Sequence, residues 1–450
     1  SIPRERSDAP MSEMTDQEMR ALLERALSFS KAEAFEANIF GSRGGNIRYA
    51  RNSVSTAGAG DDATLVVQSS FGTRTGTVTA NEFDAASIER AVRRSEELAR
   101  LAPEDPEFMP PMGPQQYLPP AAGAYVPATA AIAPEYRVRV AAASINPAAA
   151  RDCAAAGFFQ DGTSWQGMMN SKGLAAFYRQ TQASLSVTVR SNDGTGSGYV
   201  ARDVNDIAGF DPEGISAIAL EKAVASRNPQ AIEPGKYTVI LEPEAGVEML
   251  QPLVGSFNAR QTDEGRSFLS KPGGGSKLGE KLVDERVSIW SDPQDKDVPA
   301  SPWIGDGRPT RRIPWIDRGV VSNLYYSRYW AEKQQKPATP FPTNMIMAGG
   351  TGSVADLIRD VSRGVLVTRF WYIRFVDPQT LLLTGLTRDG TFLIENGAIK
   401  HAIKNFRFNE SPVIMLNNIE ALGRPIRVQG SMVPPMRVRD FTFSSLSDAV

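Results

Sequence analysis

The chain has 450 residues, of which 41% are hydrophobic and 22% charged, which is typical of a globular protein with a large core and favours two domains. Its 49 basic and 51 acidic residues give a net charge of -2, which disfavours a general attraction to nucleic acid or to anionic membranes. One cysteine and one histidine exclude an internal disulfide and disfavour both a zinc site rich in His and Cys and a Ser/His/Asp site.

The N-terminal stretch SIPRERSDAPMSEMTDQ carries charges but no apolar segment after them, so it does not resemble a signal peptide. No apolar run reaches the length of about 18 residues that a membrane span requires. We therefore predict a cytoplasmic protein without a membrane partner, and a signal peptide removed before Ser1 stays an alternative.

The first half of the chain predicts helices that cover an antiparallel sheet. Thr15 and Glu18 have the spacing of a capping box, and Asp84 is placed to begin a second amphipathic helix. Between them, three alternating segments predict an antiparallel meander, at residues 34–40, 46–55 and 63–80. Prolines then accumulate in residues 103–127, for which we predict an extended crossing segment.

After this segment the sequence predicts further helices and strands of the same unit. Cys153 lies in the Ala-rich stretch AAARDCAAAGFF, for which we predict a helix with a small buried thiol. Alternating segments at residues 164–171, 174–192 and 196–204 predict three strands, and a helix is expected at 215–226.

The second half is rich in predicted strands. PGKYTVILEPEA, residues 234–245, predicts a buried strand, and we place a domain boundary near residue 232. The alternation from Ala402 to Phe408 predicts another strand, beside which His401 is expected to be packed or on the strand surface rather than catalytic. The predicted fold class is α+β, with an N-terminal antiparallel sheet and covering helices in residues 1–232. A mainly β, barrel-like domain is expected in residues 233–450.

Two segments combine aromatic and basic residues. VTRFWYIRFVDP, residues 367–378, alternates, which favours a strand over a nucleic-acid stacking surface. VSNLYYSRYWAEK, residues 321–333, concentrates four amphipathic rings, which are typical of recognition surfaces. These are Tyr325, Tyr326, Tyr329 and Trp330. An interface or peptide groove and a core position stay equally open for them.

Several segments together resemble one known family. They are NSKGL (170–174), GTGSGY (194–199), LEPEAGVEMLQPLVGSF (241–257), VSRGVLVTRFWYIRFVDPQTLLLTGLTRDGTFLIENGAIK (361–400) and VPPMRVRDFTFSS (433–445). In this order they resemble the TldD/PmbA family of peptide-processing proteins, which are also named as modulators of DNA gyrase. The resemblance runs from about residue 15 to the C-terminus.

The resemblance also indicates a branch of the family. In the TldD branch a helix carries HExxxH, whose histidines bind zinc together with a cysteine near the C-terminus. Here Gln251, Pro252 and Ser256 stand at the three motif positions, and no cysteine follows Cys153. The sequence is therefore similar to the PmbA (TldE) branch, which implies no metal or other cofactor in this chain and zinc in a TldD-like partner.

The residues in and near the motif region support three local predictions. Pro252 is expected to kink or end its helix, because proline lacks a backbone donor. Glu244 and Glu248 are spaced to share a helical face, which we predict to be solvated. Arg266 is a candidate for binding a peptide carboxylate, with an ion pair to Asp263 or Glu264 as the equal alternative.

The resemblance implies a noncatalytic subunit of a TldD/TldE-type metalloprotease assembly that processes unfolded or leader-bearing peptides. Candidate substrate contacts are Arg266 and the aromatic set at 325–330. The expected partners are a TldD-like metalloprotease subunit and a peptide, in a homo- or heterodimer without nucleic acid. Two alternatives stay open: a homo-oligomeric peptide-binding protein without protease activity, and a hydrolase with a non-zinc site.

Overall fold

The computed structural model describes residues 13–447. Within them the helices are α1 (Asp16–Phe29), α2 (Ala85–Leu101), α3 (Pro127–Ala130), α4 (Pro134–Ala149), α5 (Pro212–Ala225), α6 (Pro243–Gly255), α7 (Ala259–Asp263), α8 (Arg328–Gln334), α9 (Val354–Arg359) and α10 (Pro412–Asn417).

The strands of the N-terminal half are β1 (Ala34–Ala50), β2 (Ser53–Phe71), β3 (Arg74–Ala80), β4 (Cys153–Asn170), β5 (Ala175–Ser191) and β6 (Ser197–Val204). Those that follow are β7 (Gly235–Leu241), β8 (Ile289–Ser291), β9 (Ile313–Asp317), β10 (Val320–Val321), β11 (Met345–Met347), β12 (Arg363–Asp377) and β13 (Leu382–Glu395). The last strands are β14 (Ala398–Ala402), β15 (Phe406–Glu410), β16 (Ile419–Leu422), β17 (Ile426–Val428), β18 (Ser431–Val433) and β19 (Met436–Leu446).

Helices α1 and α2 begin where the sequence predicts. The backbone N–H of Glu18 donates to Thr15 Oγ1 at 3.2 Å, and that of Thr15 donates to Glu18 Oε2 at 2.7 Å, so the capping box is formed. Asp84 caps α2 by accepting the N–H of Ser87 at 3.0 Å. No helix in residues 13–447 combines the length and the apolar character needed to cross a membrane.

The N-terminal half is built on one antiparallel sheet in the order β3-β2-β1-β4-β5-β6. Helices α1 and α2 pack at one end of a single face of this sheet, and α4 and α5 pack at the other end. Alternate residues of β4 and β5 are buried against these helices, which is why both strands show a period of two. The predicted sheet with covering helices is confirmed.

The proline-rich segment crosses between the two halves of the chain. Between α2 and α3 the structure has neither helix nor strand, as expected for a segment with few free backbone donors. Its Tyr117 hydroxyl donates to the carbonyl of Gly307 at 2.6 Å, and Asn170 Nδ2 donates to the carbonyl of Met112 at 2.9 Å. The segment therefore bonds to strand β4 on one side and to the C-terminal half on the other.

The C-terminal half contains a closed barrel. Its strands follow the order β12-β7-β19-β15-β13, and pairing between β12 and β13 closes the ring. Aromatic rings fill the interior, with the Phe370 and Phe408 centroids 4.5 Å apart and those of Phe406 and Phe443 4.6 Å apart. A second sheet of short strands, β10-β9-β8-β11-β18-β17, packs beside it. The mainly β, barrel-like prediction is confirmed, and the exact domain boundary near residue 232 stays a prediction.

The helix predicted through Cys153 is wrong. Helix α4 ends at Ala149, and Cys153 is the first residue of β4, where it pairs with Ser191 of β5. Alanine favours a helix locally, but pairing with a long neighbouring strand outweighs this preference. The predicted burial is correct, because Cys153 has no exposed surface.

The strand predicted from Ala402 to Phe408 is split in two. His401 lies on β14, which ends at Ala402, and β15 begins at Phe406. Between them, Gln230 takes the place of a neighbouring strand and bonds to the backbone of Ala402 and Lys404. His401 is half-buried, with Nδ1 at 2.9 Å from the Ala402 carbonyl, in agreement with a packed histidine.

Candidate functional site around helix α6

Helix α6 lies where the family motif is expected. Pro243 occupies its first turn, where a missing N–H costs nothing, and an apolar stripe that includes Val247, Leu250 and Leu253 is buried in the barrel-side core. Pro252 does not end the helix at its own position, because the helix continues to Gly255. In the last turn of the helix a proline removes only one backbone hydrogen bond, close to the point where the helical hydrogen bonds end.

The three motif positions are occupied by side chains that bond within the protein. Gln251 is exposed, and its Nε2 donates to Gln429 Oε1 at 3.3 Å. Ser256 Oγ donates to the Pro252 carbonyl at 2.7 Å. Amide, hydroxyl and pyrrolidine groups do not match the imidazole, thiolate and carboxylate ligands of zinc. Among residues 13–447 there is no group of three His, Cys, Asp or Glu side chains that would hold a metal. The residues at this position therefore do not fit a zinc ion.

The prediction of a solvated face is wrong for Glu244. Its side chain is buried, and Oε1 accepts a hydrogen bond from Arg202 at 2.5 Å and one from the backbone N–H of Ala201 at 3.4 Å. The reason is that the first turn of α6 packs against β6, the edge strand of the N-terminal sheet. Glu248, one turn later, is half-buried and accepts from Gln429 Nε2 at 3.0 Å.

Further polar contacts join the two halves beside α6. Arg427 Nε donates to Asp203 Oδ2 at 2.7 Å, and Ser197 Oγ donates to Asp389 Oδ1 at 2.6 Å. Lys222 of α5 pairs with Glu242 at the start of α6. We call the set Ser197, Arg202, Asp203, Lys222, Glu242, Glu244, Asp389 and Arg427 the seam. Buried charges must be paired to be tolerated, so the seam fixes the position of α6 against the sheet edge.

An arginine and aromatic stack lies at one end of the seam. The Arg369 guanidinium sits 3.9 Å from the Tyr199 ring centroid and 4.9 Å from that of Trp371, whose other neighbour is Arg388 at 4.7 Å. Burial raises the pKa of the Tyr199 phenol, and the carboxylates of Glu244 and Glu248 act in the same direction. The stack is therefore electrostatically coupled to α6.

Two arginines of this stack face each other across strands β12 and β13. Arg369 lies opposite Arg388 in the register of the two strands, and two like charges in that position repel. Burial lowers the pKa of the Arg388 guanidinium, and the charge of Arg369 acts in the same direction. Asp389, 3.6 Å from Arg369 and 3.8 Å from Arg388, offsets the repulsion.

One of the predicted aromatic contacts reaches the motif helix. The Tyr325 hydroxyl donates to the carbonyl of Gly255, the last residue of α6, at 2.9 Å, and its ring meets Phe341 edge-on at 4.8 Å. Tyr326 and Tyr329 are half-buried against the core. Trp330 is a core residue, 6% exposed, whose Nε1 donates to Asp263 Oδ2 at 2.8 Å.

Arg266 lies at an exposed position away from the end of α6. Its Nε donates to Glu264 Oε2 at 3.1 Å, which is the ion-pair alternative, whereas Asp263 bonds to Trp330. Hydrogen bonds from Arg266 and Arg260 hold the pKa of the Glu264 carboxyl below its usual range. A role for Arg266 in binding a peptide carboxylate stays a prediction.

A cavity of about 600 Å³, lined by both polar and apolar groups, opens on the face of the N-terminal sheet that carries no helices. Its sheet side presents side-chain amides from β4 and β5, including Gln166, Gln180 and Gln182, and its far end is formed by Arg427 and Gly430. Gly430 follows Gln429, the partner of Gln251 and Glu248, so the cavity ends beside the motif helix. A second cavity of about 360 Å³ shares Ser164 and Gln182 with it.

The sequence comparisons agree with this arrangement. Family models match residues 130–227, as the central domain of PmbA/TldA metallopeptidases, and residues 234–445, as their C-terminal domain. The chain belongs to the PmbA/TldD family. A relative named as a metalloprotease, from Methanothermobacter thermautotrophicus, is 23% identical in an alignment 295 residues long that covers 60% of this chain and 62% of that protein. The chain thus matches less than two thirds of the length of that relative.

Solved structures of the PmbA/TldD fold superpose over nearly the whole chain. TldE from Thermococcus kodakarensis matches with a TM-score of 0.84 and 18% identity, over 95% of this chain and 99% of that one. Proteins described as modulators of DNA gyrase match equally well. That of Bacteroides thetaiotaomicron has a TM-score of 0.84, 20% identity and coverages of 96% and 100%. That of Thermotoga maritima has a TM-score of 0.84, 17% identity and coverages of 94% and 100%.

Proposed function

We propose that this chain is a noncatalytic, TldE-type subunit of a PmbA/TldD-family metalloprotease assembly that processes unfolded or leader-bearing peptides. Zinc and the hydrolytic step belong to a TldD-like partner, and this chain contributes peptide contacts and shapes the cavity. The observation that carries the proposal is the state of α6, whose motif positions hold Gln251, Pro252 and Ser256 in place of metal ligands.

The surroundings of α6 support a retained binding role. Amide side chains such as Gln180 and Gln182 offer both donors and acceptors, which suits a peptide backbone of any sequence. The charged groups at the end of this cavity, Asp203 and Arg427, are already paired with each other. The lining also contains apolar and aromatic groups such as Trp165 and Trp303. A mixture of neutral polar and apolar groups favours an uncharged chain over an anion or a cation.

The same site argues against a general acid-base centre. The two carboxylates at the start of α6 are both paired, Glu242 with Lys222 and Glu244 with Arg202. Glu248 and Gln251 share Gln429 as a partner, so the exposed part of the helix presents amides. An amide does not ionise near neutral pH, so it binds a peptide group without acting as a general acid or base toward water.

The test is hydrolysis of an unfolded peptide by three samples, which are this chain, an HExxxH-bearing chain of the same family from the same source, and the two mixed. Each is assayed with and without a zinc chelator. We expect chelator-sensitive cleavage in the mixture and none with this chain alone. Cleavage by this chain alone would replace the proposal with a hydrolase that uses another site.

Matched variants of the two chains show which chain of the mixture performs the hydrolysis. Replacing the glutamate of HExxxH in the partner is expected to abolish cleavage, because that carboxylate takes the proton of the zinc-bound water. Gln251→Ala in this chain is expected to leave the catalytic rate constant within about twofold, since it touches no reacting atom. A loss of two or more orders of magnitude with Gln251→Ala would contradict a noncatalytic role.

A further inference from the structure

Strand β2 has a long edge that no other strand covers. β1 pairs with β2 from Ser53 to Ser70, whereas β3 pairs with it only between Leu65 and Phe71. Within residues 13–447, no strand pairs with the outer side of residues 53–62. In an antiparallel strand the N–H and C=O groups of alternate residues point to the same side, so about half of these residues present both groups outward.

Most of this edge lacks the usual protection. Residues 53–62 read SVSTAGAGDD, and every one of them is exposed. Natural sheets blunt their open edges with prolines, lysines, bulges or short strands. The pairing with β1 shifts register between Val54 and Thr56, which is a bulge at the start of the segment, and the segment has no proline or lysine. From Thr56 to Asp62 the edge is a regular, open strand on which another extended chain can pair.

One face of the edge is also open at its two glycines. A Cβ added at Gly58 or Gly60 would have no heavy atom within 4 Å. Gly60 also lines the cavity of about 360 Å³ that adjoins the amide-lined cavity through Ser164 and Gln182. The edge and the cavity leading toward α6 therefore lie on one continuous polar surface.

We propose that residues 53–62 bind an extended peptide by strand addition, through backbone hydrogen bonds and with little dependence on the peptide sequence. The site is separate from α6. The proposal rests on the proposed function only because it takes a peptide as the bound molecule. It adds to that function a binding edge for unfolded peptides that a folded protein does not fit.

A second copy of this chain is the competing occupant, and the available area disfavours it. A strand of this length offers a strip about 33 Å long and about 10 Å wide, roughly 330 Å². A stable protein interface needs about 800 Å² from each partner. Serine, alanine and glycine dominate the segment, so its side chains add little apolar area. A single peptide strand, whose backbone N–H and C=O groups need hydrogen-bond partners, therefore suits this edge better than a permanent dimer does.

The acidic residues at one end give the bound peptide a preferred placement. Asp61 and Asp62 are exposed at the end of the open segment, and Asp61 lies opposite Arg43 of β1. A basic residue or the amino terminus of a peptide is favoured next to Asp62. Because both groups are exposed, this preference is expected to be small and to weaken with salt.

The experiment measures direct binding to this chain without a protease partner. The probe is a fluorescein-labelled ten-residue peptide of alternating Thr and Val, followed by fluorescence anisotropy. A peptide that is N-methylated at alternate residues keeps one free edge and is expected to bind within about twofold of the parent, whereas a peptide N-methylated at every residue is expected to bind at least about tenfold more weakly. A scrambled peptide of the same composition is expected to bind within about twofold of the original. Full binding of the peptide methylated at every residue, or no binding of the parent peptide, would overturn the proposal.

Two neighbouring protein variants provide the matched control. Of Ala57→Pro and Gly58→Pro, one removes an outward N–H and the other an N–H bonded to β1, because neighbouring residues point to opposite sides. The variant that keeps the parent melting temperature is expected to bind the peptide at least about tenfold more weakly. If both variants melt early, the methylated peptides still decide the matter. A variant that keeps its melting temperature and full binding would contradict strand addition.

Hydrogen exchange and sedimentation distinguish the two occupants. Protection of amides in residues 53–62 on adding peptide supports the proposal. Protection that instead grows with protein concentration without peptide, together with a dimer in sedimentation equilibrium, would assign the edge to a second copy and overturn it. The binding experiment contains neither a protease partner nor zinc. A negative binding result therefore does not affect the hydrolysis test of the proposed function, and a negative hydrolysis test does not affect the binding result.

Discussion

Arg202 and Glu244 form a buried ion pair that joins the edge strand of the N-terminal sheet to the first turn of the motif helix. The two residues belong to different halves of the chain, and Glu244 also accepts the backbone N–H of Ala201. The helix that carries zinc ligands in the TldD branch is here held against the sheet by a charge pair, and its position therefore does not depend on a metal.

Removing one member of this pair is expected to destabilise the chain strongly. Arg202→Ala leaves the Glu244 carboxylate buried without its charge partner, and we expect the free energy of unfolding to fall by about 3 kcal/mol. Urea unfolding followed by circular dichroism measures it. The control is Arg94→Ala, which breaks an exposed pair with Glu97 on α2 and is expected to cost less than about 1 kcal/mol. Equal losses would show that the Arg202 pair is not buried in solution.

Glu410 is expected to make stability depend on pH. It is 4% exposed and accepts the backbone N–H groups of Ser411 and Thr442, but burial raises its pKa above the usual value. Between the usual pKa and the raised one, the folded state holds more protons than the unfolded state. The free energy of unfolding therefore falls as pH rises through that window, and the loss persists at higher pH.

The variant Glu410→Gln tests this sign. Ser411 and Thr442 bond to different carboxylate oxygens, so glutamine keeps an acceptor for one of the two N–H donors and removes the buried charge. We expect the stability of the variant relative to the parent to be greatest near pH 8 and to fall as pH drops below the raised pKa. Thermal melts at several pH values check it. A variant that loses stability most at high pH would mean that the carboxylate is stabilised by its donors more than it is penalised by burial.

Trp371 is expected to contribute to stability by packing against two arginines. The centroid of its ring lies 4.9 Å from the guanidinium of Arg369 and 4.7 Å from that of Arg388, although 44% of the residue is exposed. Trp371→Ala removes two cation–π contacts and is expected to cost about 1 kcal/mol at low salt. Because salt screens the repulsion between the arginines, the cost is expected to shrink near 1 M NaCl.

Trp371→Phe is the matched control for this position. It keeps an aromatic ring beside the two arginines, so it is expected to lose less than half as much stability as Trp371→Ala. Some loss is still expected, because phenylalanine binds cations more weakly than tryptophan. If both variants lose the same amount and salt has no effect, the ring acts only by covering apolar surface.

Local signals in the sequence were enough to place much of the fold. The capping box at Thr15, the cap at Asp84 and the alternation in β4 and β5 depend on neighbours close in sequence, so each was predictable. The motif positions Gln251, Pro252 and Ser256 were assigned through the family resemblance, and their residue types then indicated that they do not bind zinc.

Contacts between distant segments were not predictable in this way. Glu244 was assigned to solvent because its partner Arg202 lies on a strand of the other half, and the packing of α6 on that strand leaves no local pattern. Cys153 was assigned to a helix because alanine dominates its neighbours, whereas its strand exists through pairing with β5. The Arg369 and Arg388 pair depends on a register shift between Val367 and Arg369, which the sequence alone does not specify.

Zinc is expected to leave the stability of this chain unchanged. A ligand that binds the folded state raises the melting temperature, by an amount set by its concentration relative to its Kd. The side chains at positions 251, 252 and 256 do not fit zinc, so adding zinc or a chelator is expected to shift the melting temperature by less than about 1 °C. An HExxxH-bearing family member measured in parallel is the control and is expected to lose stability with the chelator. A zinc-dependent rise in this chain would reveal a metal site elsewhere and would require the division of labour proposed here to be redrawn.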